Sequence, residues 1–341
     1  MKKLILYLAA FIMMFLTACG SDASKENALP SDNSHGGKGG SLSIVTTIFP
    51  EYDWTKEILG DNPANAELTM LLDKGVDLHN YQPTADDIMK ISECDVFIYV
   101  GGESDEWVKD ALKQAVNDDM IVINLLEVLG DKVKEEELVE GMQGDEDEEA
   151  EADEEGISDE AGSSSDESTD VADGTEEEEP EYDEHVWLSL KNAEVLCDEI
   201  EAALEKIDPE NAEVYRSNAD DYIERLKTLD DQYSEAIGQA KVKTLLFGDR
   251  FPFRYMTDDY GLDYYAAFVG CSAETEASFE TITFLAGKMD ELGLTKIMTI
   301  EGSDHKIAES IIENTKDKNQ QILTMDSLQS VTARDVADGA D

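Results

Sequence analysis

Two short stretches of this 341-residue chain carry side chains that could do chemistry together. Residues 77–83 read DLHNYQP, and residues 183–193 read DEHVWLSLKNA. Each sets one histidine beside an aromatic ring. His79 is framed by Tyr81 and Pro83, a stiff and partly apolar setting, and Trp187 follows His185 closely enough to wall it from water. A neutral imidazole is the commonest protein ligand for late first-row metals, so His79 and His185 are candidate metal ligands. One loop histidine alone is more often a plain surface residue, and neither stretch carries the reading by itself. Cysteine adds little. Cys94, Cys197 and Cys271 follow Cys19 at irregular spacing with no C-x-x-C pair, so neither a disulfide framework nor a Cys-rich metal site can be read. Cys94 and Cys197 fall in apolar or helical patterns and are expected as buried free thiols.

The elements that must position these residues alternate. Residues 43–47 (SIVTT), 66–72, 95–100 (DVFIYV) and 120–125 (MIVINL) read as strands, with helices expected over 51–59, 85–92 and 105–116. A helix over 191–207 comes next, then a long polar amphipathic helix from Pro209 to about Gln239. The rhythm resumes with strands at 243–247, 264–269, 296–300 and 321–325. Helices are expected up to Tyr260 and over 278–292 and 306–314. The expected fold class is α/β, two lobes with parallel, helix-covered sheets and a ligand cleft between them. Such sheets bind ligands beyond the carboxyl ends of their strands. That rule draws attention to His79, to Asp249 and Arg250, to Glu301 and to Asp326, each just past a strand. His305 opens a helix and is read as a surface residue.

The chain begins MKKLILYLAAFIMMFLTAC: two lysines, an apolar stretch too short to span a bilayer comfortably, then Thr17 and Ala18 before Cys19. Leu-Thr-Ala-Cys resembles a bacterial lipobox, so residues 1–19 are expected to be a lipoprotein signal peptide with Cys19 lipidated. Two acyl chains suffice for stable membrane anchoring. Residues 20–41, rich in Ser, Gly, Asp and Asn, read as a flexible tether in which His35 is a spacer. The formal net charge is −54, and 26 of the 80 acidic residues lie between 135 and 184, where Lys and Arg are absent. Like charges at that density repel and cannot offset ordering entropy, so 135–184 is expected as a disordered acidic insertion. It is read as a funnel that raises local cation concentration. Nucleic acid is excluded as a partner, because phosphates would be repelled.

Taken together, residues 43–341 resemble the zinc- and manganese-binding solute-binding lipoproteins of bacterial metal ABC transporters (the cluster A-I, zinc-uptake type). TTIFPEYDWTKEILGD matches that family's opening strand and helix, DLHNYQPTADDI its first metal histidine, and DEHVWLSLKNA its second. YMTDDYGLDYY and LTMDSLQSV match later segments. The resemblance implies two α/β lobes (42–190 and 241–341) joined by helices over 191–240 that include one long rigid linker. It implies His79, His185 and Asp326 as metal ligands; Arg250, Glu301, Tyr81 and Trp187 are expected at the cleft or just behind the ligands. The implied protein is an extracytoplasmic, lipid-anchored monomer that captures Zn2+, or alternatively Mn2+, and passes it to an ABC permease.

Two departures stand out. The insertion lies where zinc members carry a histidine-rich one, yet holds no histidine before His185. Aligned on Tyr255 and on Tyr260, Gly261 and Leu262, the family's third ligand falls on Arg250, which stays protonated and cannot ligate. Asp249 could turn inward instead, Arg250 could pair with Asp326 or Glu301, or the site could have lost its metal; a metal site of altered geometry is the favoured expectation. The chain also ends where related proteins continue into another helix, so a truncated C-terminus is expected. Two other functions stay open. One is a metallo-hydrolase whose zinc is held by two histidines and a carboxylate, for which no H-E-x-x-H or G-x-S-x-G motif is present. The other is an acidic interaction protein with a vestigial cleft.

Overall fold

The computed structural model describes residues 41–144, 181–272 and 276–340. The leader, Cys19, the tether and the greater part of the acidic run lie outside the described residues. The first half builds one sheet from β1 (Ser43–Thr46), β2 (Glu67–Met70), β3 (Val96–Tyr99) and β4 (Ile121–Asn124). The order is β2-β1-β3-β4 and every pairing is parallel. The strand order reverses between β1 and β3, the position at which a parallel sheet opens a crevice for a ligand. Apolar runs buried on both faces explain the strands: Ile44, Val96, Phe97 and Ile98 are all 1% exposed or less.

Capping residues set the helix starts. In α1 (Phe49–Leu59) the wholly buried Glu51 accepts hydrogen bonds from the Thr47 and Ile48 amides, and Pro50 occupies the first turn. Burial, with the charge of Asp105 nearby, pushes the Glu51 carboxyl well above its usual range. In α2 (Ala85–Glu93), Thr84 and Asp87 form a reciprocal capping box. The helix expected over 105–116 shrinks to α3 (Val108–Leu112), because Asp105 turns back to accept from the Gly101 amide. A short α4 (Leu125–Leu129) follows β4 directly.

Next come α5 (Leu190–Ile207) and α6 (Ala212–Gln239). Pro209 lies in the turn before α6 rather than in its first turn. The first half of α6 buries Tyr215, Ala219, Tyr222, Ile223 and Leu226 against the first sheet's core. Its second half reaches the other lobe, where Asp230 accepts from Tyr260 at 2.9 Å and Tyr233 stacks on the same ring. One helix therefore touches both lobes. No described helix is long and apolar enough to cross a membrane.

The second half is more broken than expected. The strand read at 243–247 is β5 (Thr244–Leu246), a further short strand β6 (Arg250–Phe251) follows it, and the strand read at 264–269 splits into β7 (Asp263–Tyr265), paired with β5, and β8 (Phe268–Val269), paired with β6. Helix α7 (Arg254–Tyr260) lies between β6 and β7. After α8 (Phe279–Leu292), β9 (Lys296–Ile300) and β10 (Gln321–Met325) pair in parallel, with α9 (Lys306–Asn314) between them and α10 (Ala333–Asp338) at the end. A Phe247–Met298 bridge links the β5 end to β9.

The edges of the expected insertion are also corrected. Residues 134–136 and 181–183 are laced together: Asp183 N donates to Lys134 O, Glu136 N donates to Glu181 O, and Glu135 bridges Tyr182. Tyr255 OH accepts from Lys134 N and donates to Asp183 O, fastening both sides of this neck at once. Met142 is buried beside Phe247 and Phe251, and Gln143 pairs with Ala267 and Ser278. Residues 135–144 and 181–184 thus belong to the fold, because they carry apolar and amide groups with partners waiting in the second lobe.

Candidate metal centre

His79 sits in a single 3-10 turn (Leu78–Asn80) between β2 and α2, and His185 stands just before another (Val186–Leu188). Both turns are held alike. Asp77 accepts from the His79 amide at 3.0 Å and Asp183 accepts from the His185 amide at 2.9 Å. The sequence carries that signal as a repeated Asp-x-His, which marks an aspartate bonding the backbone two residues on. Asp77 and Asp183 are therefore site residues that the reading by aromatic neighbours missed.

The two imidazoles meet with Nε2 atoms 3.3 Å apart. Behind them, His79 Nδ1 lies 2.7 Å from Ser104 Oγ and 3.5 Å from Glu184 Oε2, and His185 Nδ1 lies 3.1 Å from Asp183 Oδ1. With each Nδ1 proton assigned to its oxygen neighbour, two Nε2 lone pairs face one another. That juxtaposition is repulsive unless a cation lies between them. Two nitrogens held about 2.0–2.1 Å from a tetrahedral ion stand roughly 3.3 Å apart, so the spacing fits a shared metal. Oxygen partners behind both rings are the usual way to orient metal-binding imidazoles.

Electrostatics favour a neutral His79 ring. Burial, the neighbouring His185 and the Arg250 charge push the His79 pKa down to about 3, against the pull of Asp77. Burial pushes the Glu184 carboxyl up. With His79 held neutral, its contact with Glu184 is not a paired-charge salt bridge. Gly102 makes it possible: its φ is +80°, and a Cβ there would stand 2.3 Å from Glu184 Oε1. Asp105, close by, is raised to about 7 by burial first and by Glu184.

Cys271 joins the pair from the loop after β8. Its sulfur and one nitrogen of each histidine lie within 4.8 Å of one another, the one such cluster of ligand atoms among the described residues. His79 and Cys271 line a cavity of about 270 Å³ whose walls include Glu103, Glu136, Glu181 and Glu184, and His185 lies wholly buried behind them. The cavity shares lining residues with a larger one of about 1080 Å³.

The other expected residues are elsewhere. Asp326 is exposed and its carboxylate caps the Leu328 amide at 2.9 Å. Asp249 faces backbone, accepting from the Arg250 and Ile300 amides, and does not turn inward. Glu301 accepts from the Ser327 amide and hydroxyl. Arg250 pairs with neither Asp326 nor Glu301. Its Nη2 lies 2.5 Å from Asp77 Oδ2, Nη1 donates to Ser272 O at 3.3 Å, and Gln329 donates to the same Asp77 oxygen. Burial would raise the Asp77 carboxyl, but Arg250 outweighs it and holds it below the usual range. Tyr81 donates to Asp87 and stands edge-on to Trp107.

Trp187 packs 5.2 Å from the His185 ring and donates to Ser327 O at 2.7 Å, joining the lobes behind the site. Trp187→Phe keeps most of the ring and strands that carbonyl. We expect a loss of about 1–3 kcal/mol, read as a lower urea midpoint at unchanged slope. A variant as stable as the parent would remove Trp187 from the set of inter-lobe ties.

A family model described as zinc-uptake complex component A (ZnuA) matches residues 44–338. The chain belongs to the ZnuA family. Among its relatives, the zinc-binding lipoprotein AdcA of Streptococcus pneumoniae is 29% identical over 339 residues, which cover 99% of this chain and 58% of that protein. The chain thus spans little more than half the length of that relative. The high-affinity zinc uptake system protein ZnuA of Bacillus subtilis is 28% identical, with 95% of this chain and 88% of that one covered. Among solved structures, the Zn(II)-bound ZnuA-like domain of S. pneumoniae AdcA superposes with a TM-score of 0.62 at 26% identity, covering 89% of this chain and 93% of that one. This ZnuA-family chain shares its two-lobed α/β fold with solved structures of that kind.

Proposed function

We propose that this chain captures a zinc ion between its lobes and delivers it to an ABC permease in a zinc-uptake system. The observation that carries the reading is the pair of imidazoles, Nε2 to Nε2 at 3.3 Å, with an oxygen behind each Nδ1. Membership of the ZnuA family and relatives named for zinc binding support zinc over manganese. His79 and His185 hold the ion; Ser104, Glu184 and Asp183 orient the rings; and Trp187 keeps water from one side. The carboxylates of the adjoining cavity attract cations and hold none of them as tightly as the nitrogens, since carboxylates prefer harder ions. The protein works outside the cytoplasm, tied to the membrane by lipid on Cys19 with residues 20–41 as tether.

Protein starting near Ser41, purified without chelator, is expected to carry one equivalent of zinc by elemental analysis. Protein that stays free of transition metal even after incubation with Zn2+ would sink the reading.

A further inference from the structure

We propose that Cys271 is the third ligand of this centre, its thiolate standing where Arg250 cannot serve. The inference rests on the reading of His79 and His185 as ligands and extends it to a donor set of two nitrogens and one sulfur.

Geometry comes first. A thiolate and an imidazole bound to one tetrahedral zinc lie roughly 3.6 Å apart, from bonds of about 2.3 and 2.0–2.1 Å. The three donor atoms here already fall within 4.8 Å of one another, so side-chain adjustment on the order of one ångström brings the sulfur to bonding distance. The loop carrying the thiol is seated for that task. On one side Gly270 presses on His185, where a Cβ would come 3.0 Å from Cε1. On the other, Ser272 is 1% exposed and its carbonyl accepts from Arg250. Between them the Cys271 amide donates to Glu136 at 3.1 Å. A second feature points to a cation at the same place: the Nε2 atoms of His79 and His185 face one another at 3.3 Å, with an oxygen behind each Nδ1.

The competing donors are committed. Asp249 holds two backbone amides, Glu301 holds Ser327, Asp326 caps Leu328 at the surface, and Arg250 is bound to Asp77. The remaining thiols are remote in role. Cys94 is wholly buried with its sulfur against Ile91 O and Met120, and Cys197 is wholly buried in the first lobe's core.

Chemistry sets the consequence. As zinc binds, the S–H bond breaks, a Zn–S bond forms and the proton leaves to water; the fourth position is left for water. Thiolate favours zinc and disfavours manganese and calcium, so Cys271 would set the selectivity that two histidines and a carboxylate leave open.

Cobalt(II) titrated into the full chain tests this, because a Co–thiolate bond gives a near-ultraviolet sulfur-to-metal charge-transfer band that nitrogen and oxygen donors do not. We expect the band in the parent protein and its disappearance in Cys271→Ser. Zinc affinity of that variant should fall by at least the roughly 10–100-fold that loss of a mere supporting partner costs. Cobalt bound through the histidines with no band, or a band that survives Cys271→Ser, overturns the thiolate and leaves the histidine reading intact. Failure of the parent to bind either metal overturns both.

Discussion

Replacing His79 and His185 together by alanine is expected to weaken zinc binding by roughly four decades or more. Four-ligand structural sites bind zinc with about 10–16 kcal/mol, so half the ligands account for about 5–8 kcal/mol, and each 1.4 kcal/mol is tenfold. Competition against a chelator of known affinity reads the difference directly. His185 is wholly buried, so the variant also needs a folding control. Far-ultraviolet circular dichroism of the metal-free variant should match that of the metal-free parent. Unchanged zinc affinity in a folded double variant would place the metal, and the function, elsewhere.

The second large effect concerns Arg250. Its side chain is 16% exposed and that of Asp77 17%, so the pair is shielded without being dry. Removing one partner of a fully buried pair costs about 3–5 kcal/mol; discounted for this exposure, Arg250→Ala should cost about 2–3 kcal/mol. The penalty is mostly that of leaving Asp77 charged and unpaired. Adding Asp77→Asn should therefore restore part of the stability, while the amide oxygen still caps His79. Acid should act in the same direction. Because the folded-state pKa of Asp77 is depressed, the pair's contribution is full above the unfolded value of about 3.9 and is lost as pH falls through the folded one. The gap between parent and Arg250→Ala, measured by denaturant titration, should be widest near neutrality and narrow below about pH 4. A double variant less stable than Arg250→Ala would show that Asp77 gains its place from other contacts.

Much of the first lobe was legible because its signals are local. SIVTT, DVFIYV and MIVINL are short apolar runs with capping residues beside them, and all three became parallel strands of the first sheet. The second lobe was harder. Residues 264–269 read as one strand, but the chain changes partners midway, β7 lying on β5 and β8 on β6, and no local pattern encodes which strand sits alongside. The site divides in a similar way. His79 and His185 were legible because a repeated local setting surrounds each. Cys271 was not, since a lone cysteine has no spacing to announce its partners and the fold alone brings it to them. Asp249, Glu301 and Asp326 were located by the end-of-strand rule, which gives a place and not a direction. Short acidic side chains satisfy nearby amides first, and each of these three does so.

The neck at 134–136 and 181–183, clasped by Tyr255, has a consequence for how such proteins diversify. Backbone bonds and one tyrosine hydroxyl hold the two ends of the acidic run together, so the loop is closed at its base. Doubling the length of a closed loop adds only about 0.6 kcal/mol of closure entropy. The run is then free to change length and composition at little thermodynamic cost, while His185, two residues past the neck, stays in register with His79.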